Sequence, residues 1–316
     1  MGRAAVVRLL HALGVIAVVV TLTFALARLL PGDPFASIAD HPSVDAAWRA
    51  RLRTTYGFDE PLLAQFVRWC GAVLRGDLGY SFSAQRPVRE LLAHALPWTL
   101  LLSSVALTVG GVLGIALGSG QAVRRGGWAD RLTGSTTLVL ASIPDVVVAT
   151  AVLVLFGQRL RWFPIGGATG LDGGGAGDVA RHLVLPAATL ALLVAVTLAR
   201  FHRAAMVRGA DADYLLAARA SGLSRWRIFW RHALPNAIAP TLTVIGVLLP
   251  ILLTGTIFVE KVFAWPGMGS VLANAVLARD YHVVTAVALL STTAVVVASA
   301  AIDALLAWLD PRTRAR

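Results

Sequence analysis

The sequence predicts an all-α protein built into a membrane and crossing it six times, on three observations. Its composition suits lipid: 57% of the 316 residues are hydrophobic and 14% charged, where a soluble domain averages roughly 45–50% and 25%. Mean hydropathy is +0.73. Six apolar stretches come close to or exceed the ~20 residues that a helix needs to cross the hydrocarbon core. Arginine is distributed unequally between alternate connections, the pattern left when one side of a membrane retains positive charge.

In chain order the spans are expected at Leu9–Leu30, Pro97–Gly120, Leu132–Phe156, His182–Phe201, Ala237–Val259 and Val283–Leu309. The first is longer than the roughly 7–15-residue core of a secretion signal and lacks a small-x-small cleavage site, so it reads as a retained span. Pro250 in the fifth is expected to kink it. The termini and the second and fourth connections carry fifteen arginines, seven of them from Arg200 to Arg231; the short third and fifth connections carry Arg159, Arg161, Arg181, Lys261 and Arg279. The basic side is cytoplasmic, which puts both termini inside.

Three regions follow: residues 1–30, the first span; 31–96, an external helical insertion; and 97–316, a five-span core with a cytoplasmic loop at 211–235. The insertion opens on the turn Pro31-Gly32-Asp33-Pro34. Ser43 is placed to cap a short helix bearing Trp48 and Leu52, ended by Gly57. From Pro61, Leu62, Leu63, Phe66, Val67, Cys70, Val73 and Leu74 recur at helical spacing, with Gln65, Arg68 and Arg75 opposite. This amphipathic helix rests either on the membrane surface or on other spans. A further helix is expected from Pro87 through Glu90 and Leu92 toward the second span.

Several function classes are excluded. Net charge is +11, but the basic residues flank apolar segments, so topology accounts for them and nucleic acid is not an expected partner. The single cysteine, Cys70, excludes an internal disulfide and a cysteine metal cluster. No His-Glu-x-x-His zinc signature and no Gly-x-x-x-x-Gly-Lys-Ser/Thr phosphate loop occurs, so ATP can act only through another polypeptide. Gly118-Ser119-Gly120 has no matched histidine in the sequence pattern, and a serine-protease reading gains no support. The chain is not expected to be an enzyme. Asp145, after Pro144, and Asp303 lie inside spans, where acids are functional candidates by default. One reading makes them the proton carriers of an ion-coupled secondary transporter. The favoured one is structural: Asp145 caps or pairs at a helix break, and Asp303 sits near Arg312. Glu260-Lys261 reads as an interface pair rather than a relay.

The fourth connection runs from Ala210 to Pro240. Asp211 or Asp213 is placed to N-cap a helix reaching Ser221, Gly222 to break it, and Ser224 to cap a second helix that Pro235 limits. Ala217, Ala218 and Ala220 make the first helix thin, so another surface can approach. Trp226, Phe229, Trp230 and Ala233 share one face of the second, fringed by Arg225, Arg227 and Arg231. An interfacial helix held to anionic lipid fits these residues as well. The spacing adds to this. Leu216-Ala217-Ala218 precedes Gly222 by three residues, and His232-Ala233-Leu234-Pro235 follows after nine. This resembles the EAA loop of binding-protein-dependent ABC permeases, Glu-Ala-Ala, three residues, Gly, nine residues, Ile-x-Leu-Pro. Leu216 and His232 stand where that pattern has Glu and Ile, which removes any salt bridge at the Glu position.

Leu30-Pro31-Gly32-Asp33-Pro34, Tyr56-Gly57-Phe58-Asp59, Gly76-Asp77-Leu78-Gly79, Trp162-Phe163-Pro164, Trp265-Pro266-Gly267-Met268-Gly269 and Arg279-Asp280-Tyr281 extend the likeness along the chain. Together they resemble the dipeptide/oligopeptide permease family. That resemblance implies a type I ABC importer permease fold in a bacterial inner membrane. It implies a second permease, two ATPase subunits that hold the ATP and magnesium, an external substrate-binding protein, and surrounding lipid; this chain itself would bind no cofactor. It implies ATPase docking by Ala217, Ala218, Gly222, Leu223, Trp226, Leu234 and Pro235, and an external gate or binding-protein seat at Trp265, Pro266, Gly267 and Met268. The solutes it implies are dipeptides, oligopeptides, nickel chelates, glutathione or oligosaccharides.

Overall fold

In lipid every backbone polar group must be satisfied within the chain, which leaves helices as the local solution for apolar segments of this length. The computed structural model describes residues 2–29, 51, 54, 59–170, 173–210, 212–254 and 256–309. Helix α1 (Gly2–Leu29) is followed by α2 (Leu62–Leu74) and a two-stranded antiparallel ribbon, β1 (Tyr80–Ser81) and β2 (Arg86–Pro87). Then come α3 (Val88–Val123), α4 (Trp128–Ala141), and α5 (Asp145–Val152) with a π-helical extension, Leu153–Arg159. Next are α6 (Ala176–Gly209), α7 (Asp213–Ala220), and α8 (Arg225–Ile228) with a π-helical extension, Phe229–Ala233. The chain continues with α9 (Leu234–Thr254), α10 (Ile257–Val262), α11 (Met268–Leu277) and α12 (Tyr281–Leu309).

Among the described residues four helical stretches are long and apolar enough to cross a bilayer: Val88–Val123, Ala176–Gly209, Arg225–Leu253 and Tyr281–Ile302. The third predicted span differs from a single helix. It consists of α4 and α5 with the π-helical extension, bent by 102° at the break between them. Pro144 is the cause: its ring has no N–H, and it disfavours helical geometry at Ile143. Helix restarts at once, because the N–H groups of Val147 and Val148 both donate to Pro144 O, at 2.9 and 3.2 Å. In α1 the apolar stretch with described side chains is Leu10–Ala25, shorter than a full crossing, so the first of the six predicted spans is carried by the sequence. The fifth ends at Thr254 rather than Val259, with Pro240 and Pro250 both inside α9. The turn Pro31-Gly32-Asp33-Pro34, the Ser43 helix and Tyr56-Gly57-Phe58 lie outside the described residues.

The chain divides into two compact units, Met1–Trp98 with Pro266–Val296 and Thr99–Trp265 with Val297–Arg316. In the first, the start of α3 (Val88, Leu91, Leu92, Ala95) packs with Met268 and Ala275 of α11 and with Val283, Ala286 and Val287 of α12. Asp280 ties the ribbon down. Its Oδ2 accepts from the hydroxyls of Ser81 (2.7 Å) and Ser83 (2.9 Å) and from Ser83 N–H (3.2 Å). Helix α2 meets α1 through Phe66 and Trp69, whose rings lie 5.3 and 5.7 Å from that of Phe24. Gln65 is buried, its Nε2 donating to Glu60 O at 2.7 Å, while Leu62, Leu63, Val67 and Leu74 are exposed.

In the second unit α6 is central, and α4, α5, α9 and α10 all pack on it. The contact with α3 is unusually close. A Cβ added at Gly110, Gly114 or Gly118 would lie 2.6–2.9 Å from atoms of Ala191, Val194, Ala195, Leu198 or Ala199. Glycine at every fourth position lets two backbones touch, which is how packing replaces hydrophobic drive between helices in lipid. Three threonines within the spans are satisfied locally; Thr189, Thr197 and Thr241 each donate to the carbonyl four residues back.

Candidate functional site

The loop between α6 and α9 is a hairpin of two short helices with an apolar centre of its own. Leu215, Ala218 and Ile228 are buried together, with Leu223 and Ala233 packed against them. Helix α7 starts after Ala212, whose side chain has no capping oxygen. Asp213 therefore does not cap; it occupies the first helical turn, where a carboxylate suits the dipole. Asp211 lies outside the described residues. Gly222 ends the helix at φ +72°, and the bonds Gly222 N to Arg219 O (3.0 Å) and Leu223 N to Ala218 O (3.3 Å) close the turn. A Cβ at Gly222 would meet nothing within 4 Å, so glycine is needed for its backbone angle, not for space. Ser224 caps α8 as the sequence predicts, its Oγ accepting from Arg227 N–H at 3.3 Å.

Pro235 does not limit the second helix, contrary to the sequence expectation. The chain widens into the π-helical turn Phe229–Ala233, where Leu234 N–H reaches back five residues to Phe229 O. A proline needs relief from the carbonyl four residues before it, and the wider turn supplies it. Helix therefore runs from α8 into α9 without a stop, coupling the hairpin mechanically to a membrane span.

The seven docking candidates fall into two groups. Ala217, Gly222, Trp226 and Pro235 are exposed, Trp226 at 71%. Ala218 is buried, and Leu223 and Leu234 are half-buried; Ala218 and Leu223 shape the hairpin from within. Trp226 stacks on Phe229 at 6.2 Å and meets Trp230 edge-on at 5.5 Å. These rings border an apolar groove of 720 Å³ whose other wall is Val112, Ile115, Ala116 and Val123 of α3.

Above the hairpin, three helices are joined by a buried polar row. Ser119 Oγ of α3 lies 3.0 Å from His202 Nε2, and His202 Nδ1 lies 2.7 Å from Thr241 Oγ1 of α9. Thr241 already donates to Ala237 O, so it accepts from Nδ1–H, which leaves Nε2 to accept from Ser119. The expectation that Ser119 has no histidine partner is thus corrected. The third member is a hydroxyl rather than a carboxylate, so the row joins helices and lacks the anion that would steady an imidazolium. One residue along, Arg203 makes a two-pronged ion pair with Asp130 of α4, both contacts at 2.7 Å, and Gly126 N–H adds a third bond to Asp130 at 3.0 Å. Asp130 is 5% exposed; a bidentate guanidinium is the partner that makes such burial tolerable.

At the other end of the chain's second unit, Trp265 is fully buried, and its N–H donates to Glu260 O at 2.7 Å. Ala264 reaches this turn at φ +48°. Pro266 is exposed, Gly267 caps α11, and Met268 lies in the core of the first unit. Glu260, read from sequence as half of an interface pair, is fully buried within its own unit. Its Oε1 accepts from Thr99 (2.8 Å) and Thr256 (2.9 Å). Asp145 opens α5 but makes no capping bond; the N-cap is Pro144. The side chain of Asp303 lies outside the described residues.

Residues 110–315 match the family model described as binding-protein-dependent transport system inner membrane component, and residues 1–103 match the corresponding N-terminal model. The chain is similar to the glutathione transport system permease protein GsiC of Salmonella paratyphi A, 36% identical over 307 residues and 97% of each chain. It is similar to the probable D,D-dipeptide transport system permease protein DdpB of Escherichia coli K12, 37% identical over 318 residues, 94% of this chain and 93% of that one. A putative peptide permease protein of Brucella ovis is 36% identical over 310 residues and 97% of each chain. Among solved structures, the inward-facing MetNI methionine ABC transporter aligns with 70% of this chain and 96% of its own, at TM-score 0.55 and 18% identity, a likeness of fold.

Proposed function

The chain belongs to the family of binding-protein-dependent transport system inner membrane components, and on that premise we propose that it is a permease subunit of an ATP-driven importer for peptides or related small solutes. It is a multi-pass inner membrane protein and not an enzyme. Its relatives named above are permeases of peptide, dipeptide and glutathione transport systems, which supports the peptide class over ion-coupled transport.

In this reading ATPase subunits hold ATP and magnesium in the cytoplasm, an external binding protein delivers the solute, and a second permease completes the pathway. Both termini are cytoplasmic. Ala217, Gly222, Trp226 and Pro235 meet the ATPase from the hairpin surface, while Ala218, Leu223 and Leu234 support them. Trp265, Pro266, Gly267 and Met268 serve the external gate or the seat of the binding protein. The observation that carries the coupling role is the uninterrupted helix from α8 through Phe229–Ala233 into α9. A push on the hairpin is delivered along α9, and the Ser119–His202–Thr241 row shares it with α3 and α6. The test is reconstitution in vesicles. Uptake is expected only with the separate ATPases, the binding protein and ATP; uptake by this chain alone on a proton gradient would overturn the reading.

A further inference from the structure

Asp145 is an ionisable group inside a predicted span, and no described residue pairs with it. The cavity beside it, 200 Å³, is lined by Asp145, Leu190, Val194, Thr197, Leu252 and Thr256. Leu190 to Thr197 are the central turns of α6, so the carboxylate lies at mid-membrane level. The 102° break at Pro144 brings it there. Its side chain is exposed, and among the described residues no cation pairs with it. An ionisable group at this depth does not face lipid; it faces water or a polar partner. The exposed side of Asp145 is therefore the side turned toward an aqueous path. The start of α5 offers about half a positive charge, less than the carboxylate's full negative one, so the locus favours cations.

Resting on the importer reading, we infer that Asp145 and the adjoining cavity form a subsite of the translocation pathway that takes an ammonium group of the passing solute, such as the free amino end of a peptide. The subsite does not move protons. It lets a cationic end pass mid-membrane without losing all of its electrostatic stabilisation, and it disfavours solutes whose amino end is blocked.

The test uses the complete transporter, with Cys70→Ser and Thr197→Cys in this chain. The cysteine at 197 is modified by a cationic and by an anionic methanethiosulfonate, with Asp145 present and after Asp145→Asn. The cationic reagent is expected to react faster when Asp145 is present, and Asp145→Asn to reduce the cationic-to-anionic rate ratio at least about tenfold. Asp145→Glu should keep the ratio high. In parallel, uptake of trialanine should fall in Asp145→Asn while uptake of N-acetyl-trialanine does not. An unreactive cysteine at 197, or a ratio unmoved by Asp145→Asn, overturns the inference. So does loss of the second permease from the purified Asp145→Asn complex together with an unreactive cysteine, which would make Asp145 half of an ion pair between subunits. If neither peptide is taken up by the unsubstituted transporter, the peptide reading fails, and the labelling ratio, which needs no solute, still decides the subsite.

Discussion

Gly222 shows what one backbone angle does. It stands at φ +72° with open space around its α-carbon. A side chain there costs about 1–2 kcal/mol for the left-handed conformation alone, and a β-branched one more. That cost falls on a surface hairpin, away from the apolar spans. Gly222→Val is therefore expected to reach the membrane at normal abundance, to recover several-fold less ATPase on co-purification, and to lose solute-stimulated hydrolysis. Undiminished recovery with normal stimulation would remove the hairpin from the coupling path. Burial raises the thiol pKa of Cys70, which is half-buried in α2.

At the scale of elements, the glycine face of α3 makes a close contact with α6. At Gly114 a Cβ would lie 2.7 Å from Leu198 Cβ and 2.9 Å from Ala195 O. Backbone is among the obstacles, so side-chain rearrangement does not relieve the clash. Gly114→Leu forces α3 from α6, and overpacking of this kind costs about 1–3 kcal/mol or more. A lower thermal transition of the purified transporter in detergent is the expected outcome. Gly111→Leu is the control, since a Cβ at Gly111 meets nothing within 4 Å, and its transition should be unchanged. Equal effects at both positions would mean that the glycine face is not what holds the pair.

For the molecule as a whole, topology is the property to test. The arginine bias assigns the hairpin to the cytoplasm and the ribbon to the outside. In a Cys70→Ser background, Tyr80→Cys should react with an impermeant thiol reagent added to intact cells, and Arg125→Cys and Arg225→Cys only after the membrane is opened. Reaction at Arg225→Cys in intact cells would invert the assignment and end the ATPase-docking proposal with it.

Sequence alone determined the second, fourth, fifth and sixth spans, the helical hairpin, the turn at Gly222 and the family, because each rests on local length, spacing or charge. Apolar length dictates a crossing, and a glycine between two short helices dictates a turn, whatever surrounds them. Tertiary structure alone decided which side of each helix faces in. Apolar patterning cannot, since lipid tails are as apolar as leucine and a span is hydrophobic on all sides. Thus Gln65 lies buried while Leu63 is exposed, and the glycines of α3 matter only because α6 is there. Ser119 meets His202 across 83 residues, and His202 meets Thr241 across 39. Pairings at such separations leave no mark in local sequence, because a buried polar group is satisfied by whichever partner the fold brings to it.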